Sequence, residues 1–148
     1  RIIRELLAFE PASRGTNLAA AVRHLSRTRV RRGLVFLVSD FLDPIDERAL
    51  RLLASRHEAI AVVIEDPREK DLPRMGMVRF EDPETGRAGV VDLSGSSRLR
   101  GFRSAAIEHE AMRDASLRGA GVDRVVLRTS EPFIVELERF LRRREALR

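Results

Sequence analysis

The chain has 148 residues, enough for one domain with a substantial core, and a formal net charge of +5. Cysteine is absent, which excludes disulfides, thiolate metal sites and cysteine nucleophiles and is compatible with a reducing compartment. No stretch of about 18 apolar residues and no signal peptide is visible, so this segment is not expected to cross a membrane.

The first half of the sequence predicts two helices and a buried strand. Residues 2–9 have their apolar side chains at helical spacing, and Thr16 is a suitable N-cap for a second helix. A continuous apolar run then extends from Leu34 to Val38. A strand that is apolar on both faces is typical of a buried parallel sheet. It ends at the polar pair Ser39-Asp40.

The second half repeats the alternation of helix and strand. Asp43 followed by Pro44 predicts a helix start, and residues 60–64 form a second buried strand. Two extended runs, 77–81 and 89–93, flank a turn that ends at Gly86 and predict an inserted β-hairpin near 77–93. A long helix over 97–118 follows, and its apolar face is expected to lie in the core; that face consists of Leu99, Phe102, Ala106, His109 and Met112. A third strand at 125–127 and a last helix from Phe133 come after it. We therefore expect a single α/β domain over 1–148, with a mostly parallel, Rossmann-like sheet flanked by helices.

The beginning of the chain suggests that the domain is partial. Arg1 already lies inside a helical pattern, and three core strands are few for an open parallel sheet. We therefore interpret the chain as lacking the N-terminal strands of the domain. The strand from Leu34 to Val38 should then have one unpaired edge, and such an edge tends to pair with a second copy. This interpretation predicts a homodimer.

In open α/β sheets, sites form beyond the carboxyl ends of the strands. Asp40 follows a strand in this way, and its carboxylate suits a hard cation such as Mg²⁺. Glu65 and Asp66 follow the next strand and are interpreted as loop acids, while Asp43 is interpreted as a helix cap. The three histidines have no acidic or nucleophilic partner nearby in the sequence, and we assign them no catalytic role.

Several motifs together resemble von Willebrand factor A domains and, more narrowly, the bacterial domain of unknown function 58. The stretches that carry the resemblance are Ser13-Arg14-Gly15-Thr16-Asn17-Leu18, Leu37-Val38-Ser39-Asp40-Phe41, Asp66-Pro67-Arg68-Glu69, Leu72-Pro73 and Asp82-Pro83-Glu84-Thr85-Gly86. The likeness extends over nearly the whole chain, which would then be the C-terminal part of such a domain.

The resemblance implies a metal-ion-dependent adhesion site. Thr16 matches the threonine that ligates the ion through its hydroxyl, and Asp40 matches the aspartate that acts through bound water. For the family's remaining element, an Asp-x-Ser-x-Ser loop, we identify no match anywhere in the chain. The run Ser94-Gly95-Ser96-Ser97 lies at a helix start and is not interpreted as its counterpart. We expect Mg²⁺ or Mn²⁺ in the intact domain and no metal bound by the present chain.

The resemblance further implies a protein-binding module, and not an enzyme, that works with a MoxR-type AAA ATPase in complex assembly or maturation. One alternative is a metal-dependent hydrolase or phosphoryl-transfer enzyme using Asp40, for which we find no convincing base. The other is a binder of nucleic acid or anionic surfaces, but the arginines are dispersed among acids. We expect a cytoplasmic domain without a nucleic-acid partner, whose membrane attachment, if any, lies in other segments.

Overall fold

The computed structural model describes residues 2–10, 17–27, 31–82 and 86–146. None of the helices in these ranges is long and apolar enough to cross a bilayer. A short 3₁₀ helix, Pro67–Glu69, follows the second strand. The other elements are α1 Ile2–Ala8, α2 Leu18–Arg27, β1 Leu34–Ser39, α3 Glu47–Arg56, β2 Glu58–Glu65, β3 Met77–Glu81, β4 Ala88–Asp92, α4 Ser96–Gly119, β5 Asp123–Arg128 and α5 Phe133–Ala146.

The main sheet contains three parallel strands in the order β1, β2, β5. Successive side chains of a strand point to opposite faces, so each strand contributes to two cores. Helices α2, α3 and α4 cover one face, and α5 covers the other. The first core includes Val22, Leu37, Leu50, Leu53, Val63 and Leu117. The second includes Ile60, Val62, Val125, Leu127 and Phe140. The predicted α/β class with a parallel sheet is confirmed.

The predicted hairpin is also confirmed. Strands β3 and β4 pair antiparallel, apart from the main sheet. Gly86 has a φ of 69°, the left-handed conformation that glycine adopts without steric cost, and its N–H donates to the Asp82 carbonyl at 2.8 Å. Residues 83–85 of the predicted turn lie outside the described residues.

Two helices begin at other residues than the sequence predicted. Asp43 is not a cap: α3 begins at Glu47, and the Asp46 side chain accepts a hydrogen bond from the Ala49 N–H at 3.0 Å. At the start of α2, Asn17 Oδ1 accepts from the Ala20 N–H at 2.8 Å. A side-chain oxygen at this position satisfies a donor of the first helical turn. Thr16, the predicted cap, lies outside the described residues.

Helix α4 differs from the prediction in what its apolar face contacts. Phe102, His109 and Met112 were expected in the core, but Phe102 is 40% exposed and Met112 is 58% exposed. The buried residues of α4 are Arg113 and Leu117. Only the C-terminal half of this helix therefore reaches the core, and the expected core face borders solvent instead.

Strand β1 has one edge without a strand partner among the described residues, as the sequence predicted. It pairs with β2 alone. On the face that α5 covers over the neighbouring strands, Leu34, Phe36 and Val38 are 50%, 47% and 64% exposed. This combination of a free edge and exposed apolar side chains is what makes strand edges prone to association.

Candidate functional site

The carboxyl ends of β1 and β2 carry acidic residues at one edge of the sheet. Asp40 follows β1, and Glu65 is the last residue of β2. Because the strands are parallel and in register from Leu34 and Glu58 onward, both ends open on the same side. This edge is where α/β sheets place their ligands.

The backbone after β1 directs Asp40 outward. Phe41 has a φ of 56°, unusual for a bulky residue, and its ring is 1% exposed in the core. The Phe41 N–H donates to Ser39 Oγ at 3.0 Å, and the Leu42 N–H donates to Asp40 Oδ1 at 3.2 Å. Burial of the Phe41 ring offsets the strain of this conformation and fixes the turn. Asp40 is thereby left exposed at its tip.

Asp40 has no cationic partner in the part of the chain that the structure describes: no ion pair with arginine, lysine or histidine involves it. Its hydrogen bonds are local, from the Leu42 N–H and, at 3.4 Å, from the Ser39 hydroxyl. Its carboxylate is therefore available to a ligand. Thr16, the other predicted metal ligand, lies outside the described residues, so the structure does not place the two relative to each other.

Glu65 is not the loop acid that the sequence suggested. It is 5% exposed. Its Oε1 accepts from Arg113 at 2.9 Å, and its Oε2 accepts from Lys70 at 2.8 Å. Burial works to raise the pKa of Glu65, but the hydrogen bonds from Lys70 and Arg113 outweigh it and lower the pKa. The carboxylate therefore stays charged and ties β2 to α4.

Lys70, the only lysine of the chain, joins two acids. It pairs with Glu65 and with Glu110 of α4. Desolvation works to lower the pKa of Lys70, whereas the bonds to Glu110 and Glu65 raise it, and the net pKa is raised. Arg113 is likewise shared between Glu65 and Asp114. Lys70 and Arg113 are thus already neutralised, and Arg128 at the end of β5 lies 3.8 Å from Glu65 Oε2 as well.

Glu69 resembles Asp40 in having no ion-pair partner in the described ranges. Desolvation raises its pKa, and repulsion from Asp40, Asp66 and Glu65 adds to this rise. A raised pKa is expected for a carboxylate that has negatively charged neighbours and no cation to compensate them. Asp40 and Glu69 therefore form a local excess of negative charge on a chain whose net charge is positive.

A cavity of about 320 Å³ lies between these strand ends and α4. Its walls are mostly apolar, and Asp40 and Glu69 both line it. The apolar part of the wall consists of Leu42, Phe102, Ala105 and Ala106. The other lining residues of the cavity are Glu65, Lys70, His109, Glu110 and Arg113. The exposed face of α4 that the sequence assigned to the core is the wall of this cavity.

A second motif was overlooked in the sequence. With Asp92 included, the serines at 94 and 96 match the spacing Asp-x-Ser-x-Ser, at the junction of β4 and α4. Here the hydrogen bond from the Ser94 hydroxyl, followed by the bond from the Ser94 N–H to Asp92 Oδ1 at 2.9 Å, lowers the pKa of Asp92. No residue of 92–96 lines the cavity of Asp40. The motif therefore does not complete the predicted site and acts as a local turn.

Potential metal ligands and histidines give no further cluster. Among the described residues, no group of three or more His, Asp or Glu side chains could hold an ion. His57 is buried, and His109 lines the cavity. Histidine, aspartate and glutamate side chains of the described residues therefore do not complete a three-ligand site at Asp40.

The fold and the site define an α/β domain with an acidic, apolar-walled cavity at the carboxyl ends of its strands. The chain belongs to the family described as "Protein of unknown function DUF58", whose profile matches residues 1–112. No solved structure gives a significant match.

The curated relatives are uncharacterized mycobacterial proteins. One from Mycobacterium tuberculosis H37Rv is 40% identical over 141 residues, which are 93% of this chain and 44% of that protein. A protein of Mycobacterium bovis matches with the same values. One from Mycobacterium avium is 39% identical over 137 residues, 88% of this chain and 79% of that protein. The chain thus spans less than half the length of the first two.

Proposed function

We propose that this chain is part of a von Willebrand factor A-like domain that binds a protein partner through a divalent cation. The observation that carries the proposal is Asp40: an outward-facing carboxylate at the carboxyl end of a parallel strand, fixed by its own turn and without a cationic partner in the described residues. Mg²⁺ is typically held by one or two carboxylates and several waters, which fits such a group.

In this proposal Thr16 contributes a hydroxyl ligand and Asp40 acts through bound water. The remaining ligands would come from an Asp-x-Ser-x-Ser loop elsewhere in the intact protein. The relatives from M. tuberculosis and M. bovis have more than half of their length outside the match, which leaves room for such a loop in those proteins. The ion's open coordination position would take an acidic residue of the partner. As partner we propose a MoxR-type AAA ATPase, and as role complex assembly or maturation.

A binding assay on the intact protein tests this function. We expect the immobilised ATPase to retain the wild-type protein in Mg²⁺ and to release it in EDTA. Thr16→Ala and Asp40→Ala should abolish retention, whereas Asp43→Ala is the matched control, because Asp43 is exposed in the same loop and is no proposed ligand. Retention of Asp40→Ala at the wild-type level, or retention unaffected by EDTA, contradicts the proposal.

A further inference from the structure

A second cavity lies beside the cavity of Asp40 along α4. The neighbouring cavity has a volume of about 290 Å³ and shares Leu42, His109 and Arg113 with the first. Its other walls include Pro44, Ile45 and Met112. Together the two cavities form a groove, here called the α4 groove, between helix α4 and the segment that follows β1.

The α4 groove has the length of a short peptide. Its α4 wall runs from Phe102 to Ser116. At 1.5 Å per helical residue this is about 21 Å, and an extended chain of about six residues covers that distance. A small molecule would fill one of the two cavities, whereas a peptide strand spans both. The dimensions therefore favour an extended segment of a protein.

The charges of the groove specify one side chain of that segment. Lys70 and Arg113 are each bound to two acids, while Asp40 and Glu69 in the first cavity and Asp43 in the second are left without an ion pair among the described residues. A guanidinium group can donate to two carboxylates at once, and its aliphatic stem packs on apolar surface. Phe102 and Ala106 supply such surface in the same cavity.

We propose that the α4 groove binds an extended segment of a partner protein that places an arginine against Asp40 and Glu69 and an apolar residue against Pro44 and Met112. The arginine supplies the positive charge that the first cavity lacks, and the apolar residue fills the second. This goes beyond the proposed function, because it concerns the metal-free domain, in which the Asp40 carboxylate is available to the arginine, and because it assigns a role to Glu69 and α4.

The chain contains no Trp and no Tyr, so the binding of a Trp-containing peptide can be followed by fluorescence without a signal from these residues of the protein. The probe is the peptide acetyl-Gly-Arg-Ala-Trp-Gly-amide, whose indole is then the only such fluorophore in the mixture. In buffer with EDTA, we expect its emission to shift to the blue and its anisotropy to rise on titration with the 148-residue chain. The peptide with citrulline instead of arginine keeps the shape but loses the charge, and we expect it to bind about tenfold more weakly.

Variants locate the binding. Glu69→Gln should weaken the arginine peptide about twofold to fivefold, as for loss of a partly exposed ion pair, and leave the citrulline peptide unchanged. Ala106→Phe should fill the first cavity and weaken both peptides. Glu138→Gln, an exposed acid on α5 at the other face of the sheet, is the matched control and should bind like wild type. Circular dichroism verifies that each variant is folded.

Three results would overturn the inference. Equal affinity for the arginine and citrulline peptides would remove the charge recognition. Displacement of the arginine peptide by arginine amide at equal concentration would identify a site for small amines and not for a protein segment. No spectral change at millimolar protein would show that the groove binds no such segment. None of these results bears on the metal-dependent partner binding, which the EDTA-sensitive assay tests separately.

Discussion

Replacing Arg113 by methionine tests whether the buried ion pair holds the sheet to α4. The side chains of Arg113 and Glu65 are 5% and 6% exposed, and their contact is 2.9 Å. Removing one partner of a buried pair costs about 3–5 kcal/mol, and a hydrogen bond to a charged group contributes about 1.5–3 kcal/mol. Because Lys70 still neutralises Glu65, we expect Arg113→Met to lower the free energy of unfolding by about 2–4 kcal/mol.

Urea unfolding at neutral pH, followed by circular dichroism, measures this loss. The matched control is Arg139→Met, which removes a pair with Glu136 on the surface of α5, where the side chains are 63% and 35% exposed. That variant should lose less than about 0.5 kcal/mol. In a double-mutant cycle of Arg113→Met with Glu65→Gln, we expect a coupling of about 1.5 kcal/mol or more. Equal losses in the Arg113 and Arg139 variants would refute the reasoning.

Three further predictions follow from the same structure. The pKa of Glu65 in the folded chain lies below its ordinary value of 4.5, so the stabilisation by its charged form is present above pH 4.5 and is lost as the pH falls through the folded-state pKa. The difference in unfolding free energy between wild type and Glu65→Gln should therefore narrow as the pH falls below 4.5. A difference that stays constant in acid contradicts this prediction. Phe41→Ala should cost about 3–5 kcal/mol in urea unfolding because it empties a buried site, and a loss below about 1 kcal/mol would show that the turn does not depend on the ring. The chain should dimerise through β1, and Val38→Lys should restore the monomer in sedimentation velocity; a wild-type monomer at high concentration argues against pairing at this edge.

The sequence predicted the parts of the fold that depend on local patterns. The apolar runs of β1 and β2 correctly indicated parallel strands, and β2 is buried as predicted. Strand β1 is buried on one face only, because Leu34, Phe36 and Val38 are exposed on the other. Asp40 follows directly from the end of such a run. Gly86 indicated the hairpin turn because glycine adopts a positive φ without steric cost, and its φ in the structure is 69°. Each of these features is encoded within about ten neighbouring residues.

Contacts between distant residues could not be predicted. Arg113 lies 48 positions from Glu65, and nothing in either segment identifies the pair. The apolar spacing of α4 indicated a buried face, but the spacing cannot distinguish a core from a groove. Asp46 was missed as the α3 cap because Asp43 before Pro44 gives a similar local signal. The Asp-x-Ser-x-Ser spacing of Asp92, Ser94 and Ser96 is visible in the sequence, but it follows the hairpin strand β4 and not a parallel strand.

The most direct test of the proposed metal site is a titration of the intact protein with Mn²⁺, in which the electron paramagnetic resonance signal of the free ion reports binding. We expect one site that Mg²⁺ competes for, lost in Asp40→Ala and in Thr16→Ala and kept in Asp43→Ala. The 148-residue chain should bind far more weakly, since its described residues contain no three-ligand cluster. Equal Mn²⁺ affinity of wild type and Asp40→Ala, or no binding to the intact protein at millimolar Mn²⁺, would contradict the proposal.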